Sequence, residues 1–179
     1  SSSVSVNILL NLGLNLSETH TDILCNGNTN GTISVSANGG SSPYTFIWND
    51  GITLLARTNL STGSYSVTAS DINSCSSSLT VIITEPAALN VTETHTDVIC
   101  NGSSTATINI NSTGGTAPYT FTWNDGDLNQ NRITLSAGSY SLTVSDNNLC
   151  TAFIAVNISE PPAFSVSAIR NNIPCSGGN

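Results

Sequence analysis

The sequence contains no lysine and no methionine, and its only bases, Arg57, Arg132 and Arg170, stand against 11 Asp+Glu. Nucleic-acid binding needs cations to displace counterions from phosphate, and an anionic membrane surface attracts a protein through the same groups. A formal net charge of −8 excludes both partners. Charge of either sign is scarce, at 8% of residues against ~25% in ordinary soluble domains, so solubility falls to Ser, Thr and Asn. Ser and Thr tolerate strands and Asn suits turns, whereas the absent or rare Lys, Met and Glu are helix formers, which points to an all-β chain. No apolar run approaches the ~18 residues of a membrane span, and no direct membrane insertion is expected. Ser1 opens no signal peptide. A secreted precursor needs one, so the chain is expected to be cut from something longer.

What is present is a repeat. Shifting the sequence by 75 residues lays His20 on His95, Cys25 on Cys100, and Pro43-Tyr44-Thr45-Phe46 on Pro118-Tyr119-Thr120-Phe121. Trp48 falls on Trp123, Gly63-Ser64-Tyr65 on Gly138-Ser139-Tyr140, Cys75 on Cys150, and Glu85-Pro86 on Glu160-Pro161. Identity at a fixed period without gaps marks tandem units. Two whole repeats are expected, at 14–88 and 89–163. Residues 1–13 read as the last strand of a preceding repeat plus a junction, because Ser1–Val6 matches Ser76–Val81. Residues 164–179 begin a further repeat, with Cys175 lying 75 positions after Cys100. At the first junction Leu9-Leu10-Asn11-Leu12 stands where Thr84-Glu85-Pro86-Ala87 stands at the second.

Period-2 alternation marks the strands. In the second repeat Ile108 and Ile110 share a face, as do Tyr119, Phe121 and Trp123; Tyr140, Leu142 and Val144; and Ala152, Ile154, Val156 and Ile158. Their neighbours are mostly Ser, Thr and Asn, the pattern of antiparallel strands buried on one side. Parity changes between Val91 and Val98, so a bulge or kink near Glu93–Asp97 is expected, as when a first strand crosses between two sheets. Six or seven short strands with a Trp on the third predict an immunoglobulin-like sandwich, and Leu135-x-x-Gly138-x-Tyr140 resembles a tyrosine corner.

A core of 75 residues is marginal, and the cysteines are read as staples. Their gaps alternate 50, 25, 50, 25. One disulfide per repeat, Cys25–Cys75 and Cys100–Cys150, closes each unit on itself and leaves Cys175 unpaired within the sequence. The rival pairing, Cys75–Cys100 and Cys150–Cys175, stitches neighbours together, and spacing alone does not decide connectivity. No CxxC pair or clustered His accompanies the thiols, which argues against zinc. Disulfides place the protein outside the cytosol.

Taken together, Cys100-Asn101-Gly102, Gly114-Gly115-x-x-Pro118-Tyr119-Thr120-Phe121-x-Trp123, Leu135-x-x-Gly138-x-Tyr140-x-Leu142-x-Val144-x-Asp146-x-x-x-Cys150 and Ile158-x-Glu160-Pro161 resemble the SprB repeat. That family builds giant surface adhesins of gliding and related Bacteroidota. The resemblance implies export by the type 9 secretion system, a place on the cell surface, and a role in adhesion or gliding. The missing Glu-Pro at residues 10–11 departs from it.

Several residues invite a functional reading. Glu93-Thr94-His95-Thr96-Asp97 and its twin Glu18–Asp22 resemble a metal set, yet on a regular strand Glu and Asp lie ~13 Å apart, and a solvated junction strand is expected instead. Asp50 and Asp125 at a Trp-Asn-Asp-Gly tip, and Glu85 and Glu160 at the junctions, are candidate calcium ligands. Turn-forming Asx residues are the simpler expectation for Asp50, Asp125, Asp71 and Asp146. The stripe Tyr44, Phe46, Trp48, with Tyr119, Phe121, Trp123, could stack on sugars, but same-face alternation on a middle strand predicts core packing. No GxSxG elbow is present and each repeat has one His, so no catalytic residue and no cofactor is assigned.

The sequence therefore predicts a non-enzymatic segment of a secreted surface adhesin, acting as a stiff stalk. The alternatives are a self-associating extracellular filament and a glycan-binding module. Expected partners are neighbouring repeats of the same chain, further copies in a fibre, or surface polysaccharide. The junctions Thr84–Ala88 and Ser159–Ala163 are short, contain proline, and lack a Gly-Ser linker. Proline restricts itself and its predecessor, so end-to-end stacking is expected at ~35–40 Å per repeat, with residues 9–13 as a hinge.

Overall fold

The computed structural model describes residues 13–170. The closing strand expected in residues 1–8, most of the hinge at 9–13, and Cys175 lie outside the described residues. The structure is built of strands: β1 (Asn15–Thr21), β2 (Gly31–Asn38), β3 (Thr45–Trp48), β4 (Ala56–Leu60), β5 (Gly63–Ser70) and β6 (Ser76–Ile83) in the first repeat. Their counterparts are β7 (Asn90–Thr96), β8 (Ala106–Thr113), β9 (Thr120–Trp123), β10 (Arg132–Leu135), β11 (Gly138–Ser145) and β12 (Thr151–Ile158).

Each repeat places its first, second and fourth strands in one sheet and its third, fifth and sixth in the other: β1-β2-β4 and β3-β5-β6, then β7-β8-β10 and β9-β11-β12. This is the strand allocation of an immunoglobulin-like sandwich without its fourth edge strand. Pairing is antiparallel, running from Asn15↔Asn38 to Thr21↔Thr32 in the first sheet. In the second sheet it runs from Thr45↔Ser70 to Trp48↔Val67 and from Gly63↔Ile83 to Ser70↔Ser76.

The alternation read from sequence settles which face is buried. Ile33, Val35, Trp48, Leu60, Val67, Val81 and Ile83 form the first core with Ile23, and Leu16, Phe46, Tyr65 and Leu79 pack against it. Val98, Ile108, Ile110, Trp123, Leu135, Leu142, Val156 and Ile158 are buried at the matching positions. The opposite faces carry paired hydroxyls, such as Ser66–Thr80 and Thr68–Ser78 across β5 and β6. Tyr65 and Tyr140 donate their hydroxyls to the carbonyls of Ser61 and Ser136, four residues back, which is the tyrosine corner.

The parity change is also explained. β7 stays with its sheet through Thr96, after which the Val98 N–H donates to Ser159 O, just past β12 in the other sheet. Ile23 does the same to Thr84. Crossing lets Val98 and Ile23 close one end of each core.

The chain divides into two compact units. Among the described residues, one holds 13–90 with 113–119 and 145–152; the other holds 91–112, 120–144 and 153–170. The first unit thus contains the first repeat together with two loops of the second, one after β8 and one between β11 and β12. Residues 164–170 carry no strand, and Phe164, Val166 and Ile169 are exposed.

Candidate functional site

The polar groups collect at the two ends of each sandwich. At one end the β5–β6 turn starts with Asp71, buried despite its charge. Its Oδ1 accepts the N–H groups of Asn73 (2.9 Å) and Cys75 (2.8 Å), and its Oδ2 accepts that of Ser41 (2.9 Å). Asp146 repeats this with Asn148 (2.8 Å), Cys150 (2.9 Å) and Thr116 (2.8 Å). The Ser41 N–H leads the donors that hold Asp71 below the usual carboxylate range, against the opposing effect of burial. For Asp146 burial is the largest influence and pushes upward, but the Thr116, Cys150 and Asn148 donors together outweigh it, and the net direction is down. These aspartates are Asx turns, as expected, but each also ties the turn to a second loop. That loop must come close: a Cβ on Gly40 or Gly115 would sit 2.9 or 2.7 Å from the carboxylate, and both glycines have positive φ.

At the other end Cys25-Asn26-Gly27 is clipped to Glu85-Pro86. The Gly27 N–H donates to Glu85 Oε2 (2.7 Å) and Asn26 Nδ2 to Pro86 O (3.1 Å). Gly102 and Asn101 do the same with Glu160 and Pro161. The Glu carboxylates considered for calcium are thus engaged as turn acceptors. Asp22 and Asp97 accept the N–H groups of Thr84 (2.7 Å) and Ser159 (2.8 Å), which hold both carboxylates below their ordinary range. The Glu-His-Asp set is therefore split. His95 Nδ1 meets Glu93 at 3.0 Å and His20 meets Glu18 at 3.0 Å, while each Asp faces the junction. Among the described residues no three His, Cys, Asp or Glu side chains form a group able to hold a metal ion.

Midway along each sandwich, Trp48 and Trp123 are both 2% exposed and donate Nε1–H to Leu54 O and Asn129 O at 2.8 Å. Arg57 lies over the Trp48 and Tyr65 rings at 5.1 and 5.3 Å, and Arg132 over Trp123 and Tyr140 at 5.3 and 5.9 Å. These indoles are core residues capped by a cation. Asp50 and Asp125 accept N–H groups two residues on, from Ile52 and Asp127, and pair with the arginines. Sequence reasoning assigns no role to these arginines, although a lone base seven residues after each Asp is a legible signal.

The cysteines require a correction. The structure bonds Cys25 to Cys150, with Cα atoms 5.6 Å apart, and leaves Cys75 and Cys100 as exposed thiols. The expected pairs Cys25–Cys75 and Cys100–Cys150, one disulfide in each repeat, are not formed. The reason is geometric. Cys75 immediately precedes β6, whereas Cys25 lies beside Thr84–Pro86, which follow it. Eight strand residues put the two roughly 25 Å apart, and a disulfide needs Cα atoms within ~7 Å. Cys100 and Cys150 are separated by β12 in the same way. Within the first unit, Cys25 and Cys150 meet beside Ala88 and Leu89. The Gly115 N–H donates to Ala87 O (2.8 Å), and Asn148 Nδ2 donates to Leu24 O (3.0 Å). Gly114 leaves room for this approach, since a Cβ there would lie 2.0 Å from Ala88 O.

Residues 17–53 and 92–128 match the family model described as SprB repeat. These two segments are SprB repeats. Their 75-residue offset is the offset of the strands, and the Cys-Asn-Gly and Gly-Gly-x-x-Pro-Tyr-x-Phe-x-Trp elements fall inside both. No curated protein sequence matches the chain. Among solved structures, one similar chain is the N-terminal eight Ig domains of Down Syndrome Cell Adhesion Molecule (DSCAM) isoform 1.30.30. Identity is 13% and the TM-score 0.47, over 84% of this chain and 25% of that one. The amphioxus IgVJ-C2 molecule gives 16% identity and a TM-score of 0.35, over 82% and 96%. This chain thus spans about a quarter of the DSCAM fragment. Among the described residues no helix is long and apolar enough to cross a membrane.

Proposed function

We propose that these SprB repeats form part of an extracellular stalk that carries adhesive or motility contacts away from a cell surface. The observation that carries this reading is the Cys25–Cys150 disulfide, which links the two repeats instead of closing either one. A covalent tie between repeats serves a load-bearing array better than a set of independently mobile binding modules. Short proline-containing junctions point the same way: Glu85-Pro86 is bonded back to Asn26 and Gly27 and leaves little free linker. Of the aromatic stripe, Trp48 is buried and Phe46 packs against the core, while half-buried Tyr44 donates its hydroxyl to Gly39 O, which weakens the main feature in favour of glycan binding. The disulfide agrees with an oxidising, extracellular location, and the family with surface display. In such an array contact strength comes from multiplicity rather than from one tight site.

Small-angle scattering on chains of two, four and six repeats tests the proposal. A maximum dimension growing in proportion to repeat number, by ~35–40 Å each, supports a stiff stalk. Growth near the square root of the number indicates freely jointed repeats and overturns it.

A further inference from the structure

Cys75 and Cys100 are exposed thiols, but neither is a solitary feature of the surface. In the 75-residue frame Cys75 is the counterpart of Cys150, and Cys100 is the counterpart of Cys25. The counterparts are bonded to each other. The surroundings match as well. The Cys75 N–H donates to buried Asp71 (2.8 Å) as that of Cys150 does to Asp146 (2.9 Å). Cys100 precedes an Asn-Gly turn held by Glu160 (2.7 Å), as Cys25 precedes one held by Glu85 (2.7 Å). Each free thiol is thus presented by the same local structure that presents a bonded one.

We propose that Cys75 and Cys100 are the two open halves of one recurring junction disulfide, each taking a cysteine of an adjoining repeat 125 positions away in sequence. The separation is that of Cys25 and Cys150. Cys100 takes the partner that follows it in the array, and Cys75 the partner that precedes it. Every junction is then stapled once, and each repeat holds one cysteine at its entry end and one at its exit end. The inference rests on reading the chain as part of a longer array. Bond formation oxidises two thiols and needs an electron acceptor, here a small-molecule disulfide such as oxidised glutathione. One thiolate attacks it and expels a glutathione thiolate; the second thiolate attacks the mixed disulfide and expels the other. Two protein thiols lose two electrons and two protons as one glutathione disulfide becomes two thiols.

The test extends the chain by one repeat. Residues 164–179 are replaced by a copy of residues 14–88, and Cys75→Ser is made in the original repeat so that the appended copy of Cys75 is unambiguous. After refolding in a glutathione buffer, free thiols are alkylated and the chain is mapped without reduction. The expected result is loss of alkylation at Cys100, a peptide joining Cys100 to the appended copy of Cys75, and retention of Cys25–Cys150. Alkylation of Cys100 at the level of the original chain, or its linkage to the appended copy of Cys25, overturns the proposal. A chain extended in the other direction, with residues 1–13 replaced by a copy of residues 14–88, gives an independent measurement. There Cys75 must lose its alkylation to the copy of Cys25, and continued alkylation of Cys75 counts against the proposal equally. Scattering on the same chains separates the two claims: a formed staple with freely jointed dimensions keeps the cysteine assignment and removes the stiff stalk.

Discussion

Arg57 and Arg132 occupy the same place in their repeats, stacked over a buried Trp and a Tyr, yet they are satisfied differently. Arg132 meets both oxygens of Asp125 (3.1 and 2.7 Å) and reaches Asp127 at 3.2 Å through Nε. Its charge is reinforced chiefly by Asp125, which raises its pKa above the usual guanidinium value. Arg57 bonds Asp50 through Nη2, and its Nη1 is buried with no hydrogen-bond partner among the described residues. The sequence cause lies one loop away. The first repeat has Ile52-Thr53-Leu54-Leu55 where the second has Asp127-Leu128-Asn129-Gln130. Ile52, Leu54 and Leu55 are exposed, whereas Gln130 Nε2 donates to Ile110 O and Asn131 Oδ1 accepts the Ile110 N–H. In the first repeat the matching Val35 N–H uses the backbone carbonyl of Leu55 instead. The core and the two sandwich ends are kept, while the loop over the arginine varies. That difference separates what the fold needs from what a single repeat can exchange.

The comparison can be broken most forcefully at the shared core. Trp48→Ala and Trp123→Ala should each cost ~3–5 kcal/mol and unfold the repeat that carries them, read by chemical denaturation. A cost confined to one repeat would show that the cores are not equivalent. A second shared feature is the set of carboxylates at the ends. Asp22, Asp71, Asp97 and Asp146 all have folded pKa values lowered by backbone donors, partly opposed by burial. A group whose folded pKa is depressed stabilises the fold above its unfolded pKa, near 3.9, and loses that contribution as pH falls through the folded value. Melting temperature should therefore stay level from pH 7 to about 5 and drop steeply below 4. Asp71→Asn combined with Asp146→Asn should flatten that drop, and an unchanged acid profile would remove these carboxylates from the account.

Smaller effects probe where the repeats differ. Asn131→Ala removes the acceptor of the Ile110 N–H and should destabilise the second repeat by about 1 kcal/mol. The analogous Ala56→Asn in the first repeat, whose N–H already has a backbone acceptor, should change little. Ile52→Asp supplies Arg57 with the second carboxylate that Arg132 has, and should stabilise the first repeat by up to about 1 kcal/mol. Asp127→Ile should destabilise the second by a similar amount. No change in either repeat would mean that the loop difference has no energetic consequence.

Periodicity made most of the fold legible. The alternation at Ile108–Ile110 and Leu142–Val144 named the buried face, and the parity change before Val98 named the crossover. Leu135-x-x-Gly138-x-Tyr140 named a corner that forms its hydrogen bond at 3.0 Å. The disulfide was misread because cysteine spacing carries no direction. β1 starts beside Gly40 and Asp71, β6 starts just after them, and both finish beside Thr84. A cysteine after the first strand and one before the last are then at opposite ends. Stacking end to end already required each repeat to be entered at one end and left at the other, so the expectation of a closed loop within each repeat conflicted with it. Asp71 and Asp146 were legible as turn residues but not as buried hubs, because the loops bonded to them lie 30 residues away in sequence. The spacing of Arg57 from Asp50 signals their ion pair, but a single base on a polar strand gives no sign that two rings lie beneath it.

The central claim is that cysteines join repeats rather than close them, and non-reducing peptide mapping of the oxidised chain tests it directly. The absence of lysine makes trypsin a poor choice, and an Asp-directed or aromatic-directed protease is needed. The account predicts a peptide linking Cys25 to Cys150, with Cys75 and Cys100 recovered as alkylated thiols. Recovery of Cys25 linked to Cys75, or of Cys100 linked to Cys150, would contradict it.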